Sequence, residues 1–370
     1  MNITIIGGGN IGTLIAAQLI AKNHNVTIYT RDTSKWSDSI TVCDKDIDKT
    51  FTVKISNITD NLSQAIKTAD LIISTIPPFA IRKIIKTIEN DINPNAILGF
   101  IPGYGGMEFL CQNLIKNGNT IFATQRVCSV ARLKEYGKTV ITAGKRKEMY
   151  ISALPKSQTE LVRKIFEELF DVTTISLPNY LNVTLTPTNP ILHTSRLYVL
   201  FKDYKQGVKY KNNKLFYEEW DETSSRMLIN CDRELHNILS KIDINTDMII
   251  PLLQHYESVD VYTLTQKIKS IKSLQGIYTP MIHTETGYIP DFDSRYFKSD
   301  FPYGLLIVKS FALIANVKTP NIDKILKWYQ NIIGKEYLNE KNELGSDNTD
   351  LSLPQNYNIA TLKKIKEFYS

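Results

Sequence analysis

Two kinds of apolar pattern alternate over the first half of the chain. Residues 3–6, "ITII", form a short run rich in β-branched side chains. After a glycine cluster, Ile11, Leu14, Ile15, Leu19 and Ile20 recur at helical spacing. "NVTIYT" (25–30) reads as a second strand. Residues 40–55 place apolar runs on either side of a charged "DKDIDK" centre, which predicts a β-hairpin. "DLIIST" (70–75) reads as a buried strand stopped by Pro77 and Pro78, with the helix "AIRKIIKTIEN" after it. "NAILGFIPG" (95–103) repeats the pattern and runs into Gly103, Gly105 and Gly106. "NTIFAT" (119–124), "KTVITAG" (138–144), "MYISALP" (149–155) and "DVTTISL" (171–177) are further strands, and "TELVRKIFEELF" (159–170) is an amphipathic helix. Strands alternating with helices predict parallel βαβ units and a doubly wound sheet.

Beyond residue 178 helical periodicity takes over, in 224–242, 262–273, 303–317 and 321–334. The pattern predicts an α/β Rossmann domain over 1–178 followed by an all-α domain over 179–370, with the boundary near "SLPNYLN" (176–182). The polar stretch 339–350 is expected to be a mobile loop. No internal repeat or low-complexity tract interrupts this plan.

Composition narrows the function classes. A chain of 370 residues is long enough for two domains with substantial cores. Its formal charge of +6 comes from dispersed lysines, and no basic stripe interleaves with aromatics. That argues against a nucleic-acid partner and suits anionic small molecules. Cys43, Cys111, Cys128 and Cys231 form no CxxC pair and no metal-ligand spacing, so free thiols in a reducing cytoplasm and no metal are expected. The opening "MNITIIGGG" lacks a basic leader and reads as a strand. No apolar run approaches the roughly 18 residues of a membrane span.

"GGGNIG" fits the dinucleotide pattern GxGxxG at Gly7, Gly9 and Gly12, between a strand and an apolar-periodic helix. Gly7 permits the tight turn, Gly9 lets backbone approach a pyrophosphate, and Gly12 lets the helix pack on the sheet. Asn10 and Ile11 belong to the same phosphate-facing helix start. The second strand ends in Tyr29-Thr30-Arg31-Asp32. An acidic residue at its tip would bond the ribose of NAD, whereas Arg31 can grip a 2′-phosphate with its fork. NADP(H) is therefore expected over NAD(H), with Thr30 and Arg31 at the ribose. Asp32 is the complication, since it could neutralise Arg31 or contact a ribose itself. "STIPP" (74–78) brings Pro77 to the same edge.

The second half holds three chemical features: "NPILH" (189–193), "YIPDFDSRYF" (288–297) and "KSDFPYGLL" (298–306). Each has a bland reading. His193 could be a structural histidine after an Asn-Pro turn, and Arg295 and Asp300 a surface ion pair beside an irregular turn at Pro302. The order of the dinucleotide fold, "TPTNPILHTSRLY" and "DSRYFKSDFPYGL" resembles the octopine/nopaline dehydrogenase family, the opine dehydrogenases, over nearly the whole chain. The stretch through "YTR" is also similar to ketopantoate reductases, which use NADPH.

The opine dehydrogenase resemblance implies a helical substrate domain after the Rossmann domain, with catalysis in the cleft between them. It implies a dyad of His193 and Asp300, with Arg295 binding the carboxylate of a 2-oxo acid. Trp220 and Glu234 lie in the segment expected to frame the amino-acid half-site. Read from the residues themselves, Asn189 is expected to orient the nicotinamide or the substrate, and Pro190 to shape the turn. The chain departs from many relatives at "ATQRVCSVARL" (123–133). The implied reaction is a reversible reductive condensation of an amino acid with a 2-oxo acid through an imine, in which a histidine suits the acid–base step near neutral pH. The partners expected are these two small molecules, with a homodimer left open. The alternatives are a ketopantoate reductase-like 2-oxo-acid reductase without an amine, and an NADP(H)-sensing protein without turnover.

Overall fold

The strands of the first half are β1 (Asn2–Ile6), β2 (Asn25–Tyr29), β3 (Ser39–Asp44), β4 (Lys49–Lys54), β5 (Asn57–Thr59), β6 (Leu71–Ser74), β7 (Ile97–Phe100), β8 (Thr120–Thr124), β9 (Val130–Glu135), β10 (Thr139–Ala143), β11 (Glu148–Leu154) and β12 (Thr173–Ser176). The computed structural model describes residues 1–186 and 188–370. They divide into one unit of Met1–Thr184 with Tyr369 and another of Leu185–Phe368 with Ser370.

In the first unit eight strands form a sheet ordered β12-β11-β8-β7-β6-β1-β2-β5. All its pairings are parallel except β11 against β8. Ile3, Ile5, Leu71 and Ile73 are at most 1% exposed, which is why the central strands read as unbroken apolar runs. The chain goes to β2 on one side of β1 and to β6 on the other. That reversal opens a crevice at the strands' carboxyl ends, where open α/β sheets bind ligands. The hairpin read over 40–55 is present as β3 and β4, and it belongs to a second sheet ordered β4-β3-β10-β9. Strand β9 occupies part of the divergent run 123–133.

Glu108 is fully buried in this unit and accepts hydrogen bonds from Thr184 Oγ1 at 2.6 Å and Tyr369 Oη at 2.7 Å. Burial pushes its carboxyl from 4.5 up to about 7. A folded-state pKa above the unfolded one gives stability that is full below the unfolded value and is lost as pH rises through the folded one. Between about pH 4.5 and pH 8 the loss amounts to about 3 kcal/mol. Glu108→Gln removes that slope, so urea unfolding at pH 5 and pH 8 should show a smaller difference for the variant than for the wild type. Identical slopes would count against an ionising Glu108.

The second unit is built on helices Thr188–Phe201, Glu222–Leu239, Val261–Ser270, Leu306–Ile314 and Pro320–Ile333. It is helical but not purely so. Strands β13 (Met281–Thr284) and β14 (Gly287–Pro290) pair antiparallel. They are four residues each and mostly half-exposed, too short to carry a readable alternation. The 339–350 stretch is tied down rather than loose. Asn348 is 4% exposed and donates to the Tyr337 carbonyl at 2.8 Å, and Asp347 accepts from the Glu336 amide at 2.8 Å. Its polar side chains bond the backbone of the residues just before it, a use that composition cannot distinguish from solvation. Among the described residues no helix is long and apolar enough to cross a membrane.

Candidate active site

The carboxyl edge of β1, β2 and β6 encloses a cavity of about 780 Å³ lined by Gly7, Gly8, Gly9, Thr30, Arg31, Thr75, Ile76 and Pro77. Gly7 has φ +118°, and a side chain there would meet Thr75 Oγ1 at 2.9 Å. A Cβ on Gly12 would lie 1.8 Å from the Gly7 carbonyl oxygen, so glycine is required where helix Asn10–Ala21 rises against the turn. Beside Gly9 a Cβ would meet nothing within 4 Å, and the helix N-terminus faces that open side. A glycine turn, a helix start and an open approach together fit the pyrophosphate of a dinucleotide.

The remaining sequence-read residues of this edge divide. Asn10 Oδ1 accepts from the Leu133 amide at 2.9 Å and so ties the helix start to β9, and Ile11 packs against the core. Asp32 lines the same cavity beside Arg31. It accepts from Ser34 Oγ at 2.6 Å and lies 3.0 Å from Lys35 Nζ, and the Ser34 hydroxyl and Lys35 hold its carboxyl below the usual range. Thr30 Oγ1 is 3.0 Å from Tyr136 Oη. Sequence reading missed Lys35, Phe79, Lys83 and Tyr136, which also line the cavity. Lys35 was within reach as a second cation four positions after Arg31. Tyr136 arrives from the turn between β9 and β10, and no local pattern points to it.

In the second unit His193 lies on helix Thr188–Phe201, 4% exposed. Its Nδ1 is 2.8 Å from Asp300 Oδ2, and its Nε2 is 2.9 Å from Tyr217 Oη. Asp300 is itself 3% exposed, at the end of helix Arg295–Asp300. The chain then passes through a π-helical turn, Phe301–Leu305, into helix Leu306–Ile314, where an irregular turn was expected at Pro302. Asn189 and Pro190 likewise sit in the first helical turn rather than in a turn before it, where proline's missing N–H costs nothing. Pro190 packs on the π turn: a Cβ on Gly304 would lie 2.8 Å from Pro190 Cβ. Proline and glycine thus let the two helices approach closely enough for the imidazole to reach the carboxylate.

Arg295 is exposed, with its guanidinium 5.8 Å from the Tyr296 ring centroid, and the Tyr296 ring lies 4.5 Å from the His193 ring. Asp300 is thus not half of a surface ion pair. Tyr217 and Tyr296 escaped sequence reading, since neither has a motif beyond adjacency to Arg295 in the second case. Trp220 and Glu234 have structural partners. Trp220 is 2% exposed and donates from Nε1 to Ser225 Oγ at 2.9 Å. Glu234 accepts from the Asn321 and Ile322 amides at 2.8 and 3.0 Å, capping helix Pro320–Ile333. Asn189 is half-buried and is not among the residues lining the glycine-edge cavity. In the divergent run, Gln125 Nε2 donates to the Asn182 carbonyl at 2.8 Å, and burial pushes the Cys128 thiol up to about 12.

Two family models match parts of the chain. The family model described as NAD/NADP octopine/nopaline dehydrogenase, alpha-helical domain, matches residues 176–333. The NAD-dependent glycerol-3-phosphate dehydrogenase N-terminus matches residues 2–108. The chain is 28% identical to the opine dehydrogenase of Haliotis discus hannai, over 99% of this chain and 98% of that one. It is 26% identical to the tauropine dehydrogenase of Arabella iricolor, over 98% and 99%. A solved octopine dehydrogenase with NADH and L-arginine shares the fold at a TM-score of 0.85 and 24% identity, covering 99% of this chain and 97% of that one.

Proposed function

We propose that this chain, which belongs to the octopine/nopaline dehydrogenase family, condenses an amino acid with a 2-oxo acid such as pyruvate or 2-oxoglutarate and reduces the resulting imine with NADPH. It is an NAD(P)-dependent oxidoreductase of the kind that acts on CH–NH groups. The observation that carries the finer reading is a buried imidazole held by a carboxylate at one nitrogen and a phenol at the other.

The bound nicotinamide would supply hydride; the chain's own residues supply the proton work and the grip. Asp300 accepts the Nδ1–H of His193, which fixes the tautomer and stabilises the imidazolium. His193 then serves as the acid that discharges the carbonyl oxygen as water and as the base that recovers the proton. Arg295 takes the 2-oxo-acid carboxylate through its two-pronged fork. The glycine turn with Gly7, Gly9 and Gly12 would hold the pyrophosphate, and Thr30, Arg31 and Pro77 the ribose side of the cofactor.

The decisive assay follows NADPH loss over a matrix of 2-oxo acids and amino acids, with mass detection of a secondary amine product. Turnover that needs both partners supports condensation. NADPH oxidation by the 2-oxo acid alone, indifferent to amine, would assign a plain 2-oxo-acid reductase instead.

The cofactor preference is tested separately. Arg31 is exposed at the cavity, which Lys35 and Lys83 also line, and Asp32 is paired there with Lys35 at 3.0 Å. Arg31→Ala should weaken NADPH binding by about 10-fold to 100-fold, the worth of a charge-assisted hydrogen bond, and leave NADH binding unchanged. Fluorescence titration with both cofactors reads this directly. An equal effect on both would remove Arg31 from 2′-phosphate recognition.

A further inference from the structure

Both ring nitrogens of His193 are occupied within its own unit, and the ring is 4% exposed. With Nδ1–H donated to Asp300, Nε2 accepts from the Tyr217 hydroxyl. Any proton that the imidazole gives or takes through Nε2 therefore meets Tyr217 first. Tyr217 is itself 6% exposed, and its hydroxyl is in turn hydrogen-bonded to Tyr296, which is half-buried and carries the Arg295 guanidinium against its ring. The four side chains form one line from a buried carboxylate to the partly open ring beside Arg295.

Local structure holds Tyr217 in that line. It sits in the turn 216–219, whose start is pinned by the Phe216 amide donating to the Ile277 carbonyl at 2.7 Å. The turn ends at buried Trp220, whose amide donates back to the Tyr217 carbonyl at 3.1 Å. Phe216 packs edge-on against the histidine ring, with centroids 5.6 Å apart.

We propose that Tyr217, with Tyr296 behind it, is the proton relay of His193: a positioning residue through which the imidazole's proton reaches the reacting oxygen and from which it is replaced. The proposal rests on the acid–base reading of His193 given above. In the forward direction the imidazolium Nε2–H bond breaks and its proton joins the Tyr217 oxygen. The Tyr217 O–H bond breaks in the same motion and its proton joins the Tyr296 oxygen, whose own O–H proton passes to the carbinolamine hydroxyl; the C–O bond breaks as the amine lone pair forms C=N, and the oxygen leaves as water. His193 ends neutral, Tyr217 and Tyr296 end as they began, and the imidazolium's positive charge ends on the iminium nitrogen. Nothing is oxidised or reduced in this handoff. Burial pushes the Tyr217 hydroxyl well above its usual range, so it stays protonated and conducts rather than storing charge.

The test compares wild type, Tyr217→Phe, Tyr296→Phe and His193→Ala, with kcat measured in H₂O, D₂O and mixtures of the two. Tyr217→Phe keeps the ring and removes only the relay. It should lose about 10-fold to 100-fold in kcat, less than loss of the acid itself, with the KM values and NADPH affinity retained. The wild type should show a solvent isotope effect with more than one proton in flight, and Tyr217→Phe a reduced and linear one. Tyr296→Phe, partly exposed and tolerant of the change, should lose less in kcat but alter the isotope dependence in the same direction. Wild-type kcat and isotope dependence in both phenylalanine variants would overturn the relay while leaving His193 as the acid, provided His193→Ala is inactive. Full activity in His193→Ala would overturn the acid–base reading and the relay with it.

Discussion

His193→Ala lowers kcat by about 10²–10⁴, the usual worth of a positioned general acid–base, and leaves the NADPH dissociation constant unchanged. The first half follows from the imidazole's setting. A histidine at 4% exposure, bonded to a carboxylate that is 3% exposed, is placed for chemistry that water cannot replace. Alanine leaves Asp300 without its principal partner, and helix Thr188–Phe201 holds no second histidine to take over the proton transfer. The second half follows from the residues around the glycine turn, all of which belong to the first unit. Single-turnover kinetics and NADPH titration separate the two quantities. Asp300→Asn should fall in the same direction, because an amide no longer fixes the imidazole tautomer or stabilises the imidazolium. Near-wild-type turnover in His193→Ala would return this residue to the structural role first open to it.

The sequence carried the first unit's plan well because each element there has its own local cause. Central strands buried on both faces read as apolar runs, and Gly7 and Gly12 each answer a separate steric demand within a dozen residues. The hairpin over 40–55 was legible because its charged turn sits between two apolar runs. The His193–Asp300 contact of the second unit was legible only by resemblance, since the two residues stand 107 positions apart and meet through tertiary packing. Tyr217 was invisible for the same reason: a tyrosine in a turn carries no periodicity, and its value comes from the histidine opposite. Pro190 was misread as a turn-former because local rules assign proline to turns, and the packing role of Gly304 inside its helical stretch carries no local signal. Here they thin two helices so that they can approach. Glu234 and Trp220 stood in a promising segment, yet both are spent on holding it together.

Lys309→Met destabilises the second unit by about 3–5 kcal/mol, the cost of stranding one member of a buried ion pair. Lys309 is 3% exposed, and its Nζ lies 2.6 Å from Asp323 Oδ1 and 3.0 Å from Thr319 Oγ1. Thr319 also donates to Asp323 Oδ1 at 3.0 Å, so cation, hydroxyl and carboxylate form a closed triangle. Removing the ammonium leaves a carboxylate, its side chain only 12% exposed, with one neutral donor, and a single hydroxyl does not offset its desolvation. A domain stable by only about 5–15 kcal/mol feels this as a large fraction of its total. Helix Leu306–Ile314, which carries Lys309, continues from Asp300 through the π turn, with Lys309 nine positions beyond Asp300. Urea unfolding should show the drop, whereas kcat measured at low temperature on the folded variant should stay near wild type. The double replacement Lys309→Met with Asp323→Leu should recover most of the stability, since no charge is then left buried alone. A Lys309→Met loss below about 1 kcal/mol, the range of surface pairs, would mean that water already reaches Asp323.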